Sequence, residues 1–177
     1  ISLDHCDVLG DTFATIAGEK AGIIKPGKPV LMGKLPPEAD ALIRRVANDR
    51  GCKLYALVDR FPDETGLPHT NLAGGFQRWN AGLATYAIEI LSKHFPVQST
   101  AALEQVEWAG RWQTLELDGR KLILDATHNP EGAAALKQNL SSFTEQPIII
   151  AGTLGEDRAQ SLMAVVSQYA RELYLVA

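Results

Sequence analysis

Cysteine is scarce in this sequence, and runs of like charge and long apolar stretches are absent. Only Cys6 and Cys52 occur in 177 residues, and their spacing fits neither a disulfide framework nor a zinc site built on paired thiols. A net charge of -4 without a Lys/Arg run argues against a nucleic-acid partner. No apolar stretch is long enough to cross a bilayer, and the start lacks a signal-peptide pattern. We therefore expect reduced thiols in a cytoplasmic protein without nucleic-acid or membrane partners.

A phosphate-binding loop is also missing, since the pattern G-x-x-x-x-G-K-[ST] occurs nowhere in the chain. The chain starts without Met inside a strand-like segment and stops on another, residues 173–176. These ends predict a fragment of a longer protein. The apolar content of 46% is enough for one large or two small domains with their own cores.

Helix and strand patterns alternate along the first half of the chain. Apolar spacing predicts a helix from an Asp11 N-cap to a stop at Pro26-Gly27. A strand, a helix and a strand follow, which predicts a parallel β-α-β unit with a right-handed crossover. A loop rich in Pro and Gly then leads to a further helix. The predicted segments after the first helix are strand 29–32, helix 37–50 with Gly51 as its stop, strand 53–58, loop 59–75 and helix 76–95.

The second half begins at a domain boundary predicted near 94–99, so that residues 1–96 and 97–177 form separate domains. A short helix over 100–107 is expected to be capped by Ser99. The dipeptide Asp118-Gly119 between two strand patterns is a strong hairpin signal. Strands and helices then alternate, which predicts a small Rossmann-like sheet in an α/β fold. The alternating segments are 122–124, 130–143, 148–151, 157–169 and 173–176.

Lys20 is the most unusual residue of the first predicted helix. The 3.6-residue period places it in line with Phe13, Ile16 and Ile24 on the apolar stripe. Desolvation favours the neutral amine, so a buried lysine needs an acidic partner or becomes reactive, for example toward carbon dioxide to form a carbamate. A lysine that extends its ammonium past the aliphatic stem to water is the alternative. We expect the Lys20 amine to be buried near His5.

A polar cluster, Asp4-His5-Cys6-Asp7, lies between the first strand-like segment and this helix. Loops that follow strands collect ligands in α/β proteins, and carboxylate and imidazole groups suit magnesium or manganese. His5 could give one ring nitrogen to such an ion while a neighbour holds the other. The alternative is that both aspartates only cap the turn and His5 is a surface residue.

The segment from Leu3 to Gly27, L-D-H-C-D-x-L-G-D-T-x-x-x-I-A-x-E-K-A-G-I-I-K-P-G, resembles the central domain of folylpolyglutamate synthase and dihydrofolate synthase. These enzymes are members of the Mur ligase superfamily. The resemblance implies that His5 binds a magnesium ion and that Lys20 is carbamylated and serves the metal site. It also implies that the chain holds the remainder of a central ATPase domain, followed by a truncated Rossmann-like C-terminal domain.

A second polar loop, residues 125–132, follows the predicted strand 122–124, at the strand end where ligands gather in parallel sheets. Asn129 can cap the next helix and Pro130 can occupy its first turn, which leaves backbone N–H groups facing an anion. Asp125 is placed to accept hydrogen bonds from ribose hydroxyls, and His128 to contact phosphate or the second substrate.

Three further segments of the chain resemble motifs of the same family. I-L-D-A-T-H-N-P-E-G is similar to the nucleotide-contacting signature D-G-A-H-N-P-x-G, with Thr127 in place of alanine. The resemblance implies that Arg111, in W-A-G-R-W-Q, reaches the ATP phosphates, although Ala109 replaces a common proline. It also implies that Asn80, in F-Q-R-W-N-A, faces the adenine, while Phe76 replaces a frequent histidine.

The resemblance implies an ATP-dependent amide ligase that acts on small molecules. ATP would phosphorylate the carboxylate of dihydropteroate or a folate, and L-glutamate would attack the acyl phosphate. We expect ATP and Mg²⁺ as cofactors, a monomer, and no activity in the isolated chain. The alternatives are a Mur-type ligase for a peptidoglycan precursor and a noncatalytic nucleotide-binding module. The expected site residues are Lys20, Arg111 and His128 for catalysis, Asn80, Arg111, Asp125 and His128 for the nucleotide, and His5 and Lys20 for the metal.

Overall fold

The computed structural model of the chain describes residues 1, 9–92, 94–96 and 99–176. Its contacts divide the chain into two compact units. The first unit comprises Ile1–Thr70 and Gln77–Glu104, and the second comprises Asn71–Phe76 and Gln105–Ala177. This division falls later than the expected boundary near 94–99 and groups 71–76 with the second unit. The assignment of 1–96 and 97–177 to separate domains stays a prediction.

The first unit contains the expected β-α-β arrangement. Strand β1 pairs in parallel with β2, in the register Val30 with Leu54 and Met32 with Ala56, and helix α2 connects them. The described helices include none with the length and apolar character needed to cross a bilayer. The elements of this part of the chain are α1 (Phe13–Ala21), β1 (Val30–Met32), α2 (Pro37–Asp49), β2 (Leu54–Ala56), α3 (Leu57–Arg60), α4 (Gly75–Leu91) and a 3-10 turn (Ala101–Glu104).

Helix α2 forms where the sequence signals were strongest. Pro37 occupies its first turn together with acidic side chains, and Gly51, with φ of 62°, ends it. Its buried face, which includes Ile43, packs into a cluster with residues of α1, β1 and β2. Arg44 donates from Nε to Asp40 Oδ1 at 2.6 Å, one turn earlier, and this hydrogen bond raises the pKa of Arg44.

Four predicted elements of the first unit are shorter than expected. Helix α1 is capped by Thr12 rather than Asp11 and ends at Ala21, several residues before Pro26-Gly27. The strand predicted over 53–58 stops at Ala56, because Leu57 begins α3 and is buried in a cluster with Phe61 and Leu67. The helix predicted over 76–95 ends at Leu91. The segment predicted as a helix over 100–107 is only the 3-10 turn, where Ser99 Oγ accepts from the Ala101 N–H at 3.0 Å as expected.

The second unit combines a hairpin with a parallel strand pair. Asp118 and Gly119 have φ of 51° and 72°, as a type I′ turn requires, and they join β3 to β4. Strands β5 and β6 are parallel, and α5 and α6 supply the apolar side chains that pack against them. The elements are β3 (Gln113–Leu117), β4 (Arg120–Leu124), α5 (Pro130–Leu140), β5 (Ile148–Ala151), α6 (Glu156–Tyr169) and β6 (Glu172–Leu175).

In the described part of the second unit, the hairpin and the parallel strand pair form two separate two-stranded sheets. Strand β4, which contains the predicted segment 122–124, pairs with β3, while β5 and β6 form their own two-stranded sheet. Most residues of β4, including Leu122 and Leu124, are exposed and are not covered by the helices. The α/β fold class is confirmed, but the expected inclusion of 122–124 in the parallel sheet is wrong for the residues described.

Candidate functional site

Lys20 is exposed, and the expectation of a buried amine is wrong. The buried face of α1 consists of Ile16, Ala17 and Ala21, and the helix ends before Ile24 can extend an apolar stripe past Lys20. Lys20 therefore lies in the last turn, where a cation is favourable beside the negative end of the helix dipole. Any metal-site role of Lys20 now depends on the motif resemblance and not on burial.

The predicted metal ligand His5 and its neighbours Asp4 and Asp7 lie outside the described residues. The ranges that are described contain no group of three His, Cys, Asp or Glu side chains able to hold a metal ion. Lys20 alone is not a magnesium site, because an ammonium has no lone pair to donate. The metal assignment of His5 and Lys20 stays a prediction of the motif.

Asn80 lies on the exposed side of α4, and its amide is held by a buried neighbour. Its Nδ2 donates to Gln77 Oε1 at 2.9 Å, and Gln77 is only 5% exposed. The hydrogen bond fixes which end of the Asn80 amide is the donor toward the helix, so Oδ1 is the end available to accept from a ligand. Gln77 was not predicted from the sequence, although its spacing of three residues on a helix could have revealed it.

The start of α4 is anchored to the preceding loop. Arg78 donates from Nη2 to the carbonyls of Glu64 and Leu67 at 2.8 and 2.9 Å, and Trp79 donates from Nε1 to Glu64 Oε1 at 3.2 Å. Phe76, where the family often has histidine, is exposed at the helix start. The turn of α4 that carries Asn80 is therefore held by hydrogen bonds to the loop residues Glu64 and Leu67.

Arg111 is exposed in the second unit and lines a cavity of about 540 Å³. Trp108 and Trp112 contribute aromatic surface to this cavity, and Asn71 and Glu107 contribute polar groups. The cavity offers a guanidinium and aromatic rings to the same volume. Such a combination suits a ligand with an anionic group and a planar ring.

Asp125 is engaged by its own chain. Its Oδ2 accepts from the Trp112 N–H at 2.9 Å, and its Oδ1 accepts from the Thr127 N–H at 3.0 Å and from the Thr127 hydroxyl. The Ala126 N–H donates in turn to the Gly110 carbonyl at 2.7 Å. The structure therefore brings the loop of Asp125 and the loop of Arg111 together. It also leaves less of the carboxylate for ribose hydroxyls than the sequence suggested.

Trp112, next to Arg111, has an unusual backbone. Its φ of 51° lies in the left-handed region, which costs a residue other than glycine about 1–2 kcal/mol. The Trp112 ring packs on Phe143 with centroids 5.7 Å apart, and the bond to Asp125 holds its N–H. Such strain persists where surrounding contacts fix it, and it is frequent at functional sites.

The loop 125–132 forms the predicted helix start. Asn129 caps α5, its side chain accepting from the Gly132 N–H at 2.8 Å, and Pro130 lies in the first turn. His128 is exposed, and its Nδ1 lies 2.8 Å from the Ala126 carbonyl oxygen. Because a carbonyl can only accept, Nδ1 is the donor in this hydrogen bond.

The second unit thus gathers Arg111, Asp125 and His128, because two hydrogen bonds join the loops on either side of the hairpin. Asn80 and Lys20 belong to the first unit. The sequence named all five residues, but it gave no indication that Asp125 holds the backbone beside Arg111.

Curated relatives match most of the chain. The dihydrofolate synthase/folylpolyglutamate synthase of Bacillus subtilis is 32% identical over 164 residues, which cover 79% of this chain and 38% of that enzyme. The folylpolyglutamate synthase of Lacticaseibacillus casei is 28% identical over 201 residues, which cover 99% of this chain and 47% of that enzyme. The chain therefore spans less than half the length of these relatives. No protein-family model matches it.

Solved structures share the fold. An FPGS–AMPPCP–folate complex has a TM-score of 0.82 at 24% identity, covering 99% of this chain and 48% of that chain. The folylpolyglutamate synthase of Mycobacterium tuberculosis with ADP has a TM-score of 0.79 at 22% identity, covering 99% of this chain and 45% of that chain. The α/β fold of this chain is therefore the fold of these solved structures. The resemblance to the folylpolyglutamate synthase and dihydrofolate synthase family is confirmed by the relatives named above.

Proposed function

We propose that the protein carrying this chain is an ATP-dependent ligase that joins L-glutamate to dihydropteroate or to a folate. The observation that carries the proposal is the relationship to enzymes of that name at up to 32% identity over 79% of the chain. A structure of the same fold was solved with AMPPCP and folate, which supports a nucleotide and a folate as ligands here.

The proposed reaction has two steps. The γ-phosphoryl group of ATP moves to a carboxylate oxygen of the folate and ADP leaves. The glutamate amine then attacks the acyl carbon, and the tetrahedral intermediate expels phosphate as the amide forms. Negative charge on the transferring phosphoryl group needs a fixed cation, and the exposed guanidinium of Arg111 is the described group suited to this role. We assign His128 to contact with phosphate or with the second substrate.

Two described side chains are assigned to the nucleoside. We assign Asn80 to the adenine, because its Oδ1 can accept from an exocyclic amino group while Gln77 binds its Nδ2. Asp125 retains limited acceptor capacity for a ribose hydroxyl beside its bonds to Trp112 and Thr127.

Magnesium is proposed from the motif alone. His5 would supply an imidazole ligand, and the carbamate of Lys20 would supply oxygen. When bound, the ion would neutralise phosphate charge during transfer. The Lys20 amine is exposed and therefore accessible to carbon dioxide.

The proposal is tested with the full-length protein that carries this chain. ATP, magnesium, a folate or dihydropteroate and labelled glutamate should give labelled amide, whereas the isolated chain should give none. Arg111→Ala should lower kcat/KM by about a hundredfold or more. Arg120→Ala, an exposed arginine at the start of β4, is the matched control and should retain activity.

Two outcomes would overturn the proposal. Product formed only with a peptidoglycan precursor would assign the protein to a sister ligase of the Mur type. Tight ATP binding without any product from the intact protein would indicate a noncatalytic nucleotide-binding module.

A further inference from the structure

We propose that Asp125 is a positioning residue for Arg111, acting through the main chain of Trp112. The functional part of this inference rests on the proposed ligase activity, since Arg111 is assigned there to the phosphates. The structural part is independent of it, because it concerns hydrogen bonds within the second unit.

Two hydrogen bonds hold the backbone on either side of Arg111. The residue before it, Gly110, accepts from the Ala126 N–H at 2.7 Å, and the residue after it, Trp112, donates to Asp125 Oδ2 at 2.9 Å. Both hydrogen bonds are made by the short segment Asp125-Ala126, which follows β4. The Cα of Arg111 is therefore fixed relative to the loop that carries His128, and its exposed side chain starts from a defined point.

The hairpin register explains why a carboxylate is needed at position 125. Gln113 pairs with Leu124 in the ladder, so Trp112 and Asp125 would be the next pair. With φ of 51°, Trp112 departs from strand geometry and cannot continue the ladder. The Asp125 side chain supplies the acceptor for the Trp112 N–H, just beyond the end of the ladder. Its other oxygen is occupied by the N–H and hydroxyl of Thr127, which orients the carboxylate.

A carboxylate accepts at both oxygens, and an amide does not. Asp125→Asn keeps the size of the side chain but presents an NH₂ group to one of the two donors, Trp112 N–H or the Thr127 pair. An N–H donor then faces another N–H or O–H donor, and the hydrogen bond from the Trp112 N–H to residue 125 weakens. The left-handed backbone of Trp112 loses one of its restraints, and Arg111 becomes mobile with it.

The competing explanation is that Asp125 acts only by binding ribose. That explanation predicts a direct loss of contact with the 2′- or 3′-hydroxyl and no involvement of Arg111. The two explanations are separated by hydrogen exchange at Trp112, by a double-mutant cycle with Arg111, and by the use of 2′-deoxy-ATP and 3′-deoxy-ATP.

Hydrogen exchange tests the structural part in the full-length protein. In Asp125→Asn we expect the Trp112 amide to exchange at least tenfold faster, while amides in the middle of α6 keep their rates. Asp118→Asn, in the turn of the same hairpin, is the matched control, since Asn suits a positive φ there, and it should leave Trp112 protected. Unchanged protection of Trp112 in Asp125→Asn would overturn the proposal.

Kinetics test the functional part. Asp125→Asn should lower kcat/KM about tenfold or more, the effect of one lost hydrogen bond to a charged group. In an Arg111→Ala background the same change should cost no more than about twofold, because residues that act as a unit are not additive. Equal losses in both backgrounds would overturn the proposal. So would a loss confined to ATP, with 2′-deoxy-ATP or 3′-deoxy-ATP turned over equally well by Asp125→Asn and by the wild type.

The two proposals fail separately. A wild-type protein without ligase activity would refute the proposed function, and the exchange of the Trp112 amide would still decide whether Asp125 holds this loop.

Discussion

Asn71 and Val106 form a reciprocal pair in the second unit. The Asn71 Nδ2 donates to the Val106 carbonyl at 2.9 Å, and the Val106 N–H donates to Asn71 Oδ1 at 2.9 Å. A side-chain amide here imitates a neighbouring β-strand, since it offers one donor and one acceptor at the spacing of a main chain. The pair attaches the segment before α4 to the segment that leads to Arg111.

We expect Asn71→Ala to destabilise the second unit by about 1 kcal/mol, because both bonds are lost and water replaces them only partly. The melting temperature should fall by roughly 2–4 °C in a protein of this size. Asn48→Ala, at an exposed position of α2, is the control and should change it little. Equal melting temperatures for Asn71→Ala and the wild type would contradict a structural role for the pair.

The Gln77–Asn80 bond predicts how the nucleotide base is selected, given the proposed function. Gln77→Met removes the acceptor at similar volume, so the Asn80 amide can rotate and present either end. The preference for ATP over ITP should then fall at least about fivefold, the lower end of a base contact of about 1–3 kcal/mol. Gln77→Glu keeps an acceptor and should keep the preference. The measurement is kcat/KM for both nucleotides, and an unchanged ratio in Gln77→Met would refute this role.

Two glycines should respond in opposite ways to alanine. A Cβ at Gly82, in α4, would lie 2.7 Å from Leu67 Cδ2 in a buried cluster, and overpacking of a core costs about 1–3 kcal/mol. Gly18, in α1, is exposed with open space at its Cβ position, so alanine should stabilise by about 0.5–1 kcal/mol. Denaturant unfolding measures both changes. Stabilisation by Gly82→Ala would show that Leu67 moves aside without cost.

Lys20→Ala separates folding from catalysis. The exposed side chain predicts a change in the free energy of unfolding of less than about 0.5 kcal/mol. The proposed role at the metal predicts that turnover of the full-length protein falls roughly ten- to hundredfold. Lys25→Ala, also exposed, should change neither quantity. A normal turnover rate in Lys20→Ala would remove Lys20 from the catalytic machinery.

The sequence correctly predicted those helices and turns whose ends are marked by capping or turn-forming residues. Pro37 and Gly51 mark α2, Asn129 caps α5, and Asp118-Gly119 forms the type I′ turn, since each acts on the backbone within a few residues. The prediction for Lys20 was wrong because periodicity assumed that α1 continues to Ile24. The helix instead ends at Ala21, and its buried face is formed by Ile16, Ala17 and Ala21.

The interactions that refine the site could not be predicted in the same way. The carboxylate of Asp125 and the amide of Trp112 are 13 residues apart, and a sequence does not reveal a positive φ at tryptophan. Only the register of the hairpin places the two groups opposite each other. The motif residues were identified by resemblance, whereas the hydrogen bonds that orient them are visible only in the structure.

The two-residue turn at Asp118-Gly119 also has a consequence for the time course of folding. Hairpins close in about 1–10 μs, because a short loop loses little entropy on closure. The parallel β5–β6 pair needs a helical crossover and forms more slowly. Pulse-labelling during refolding should therefore find the Trp112 amide protected before the amides of β6. The segment that carries Arg111 would then reach its native conformation before the parallel sheet of the same unit forms.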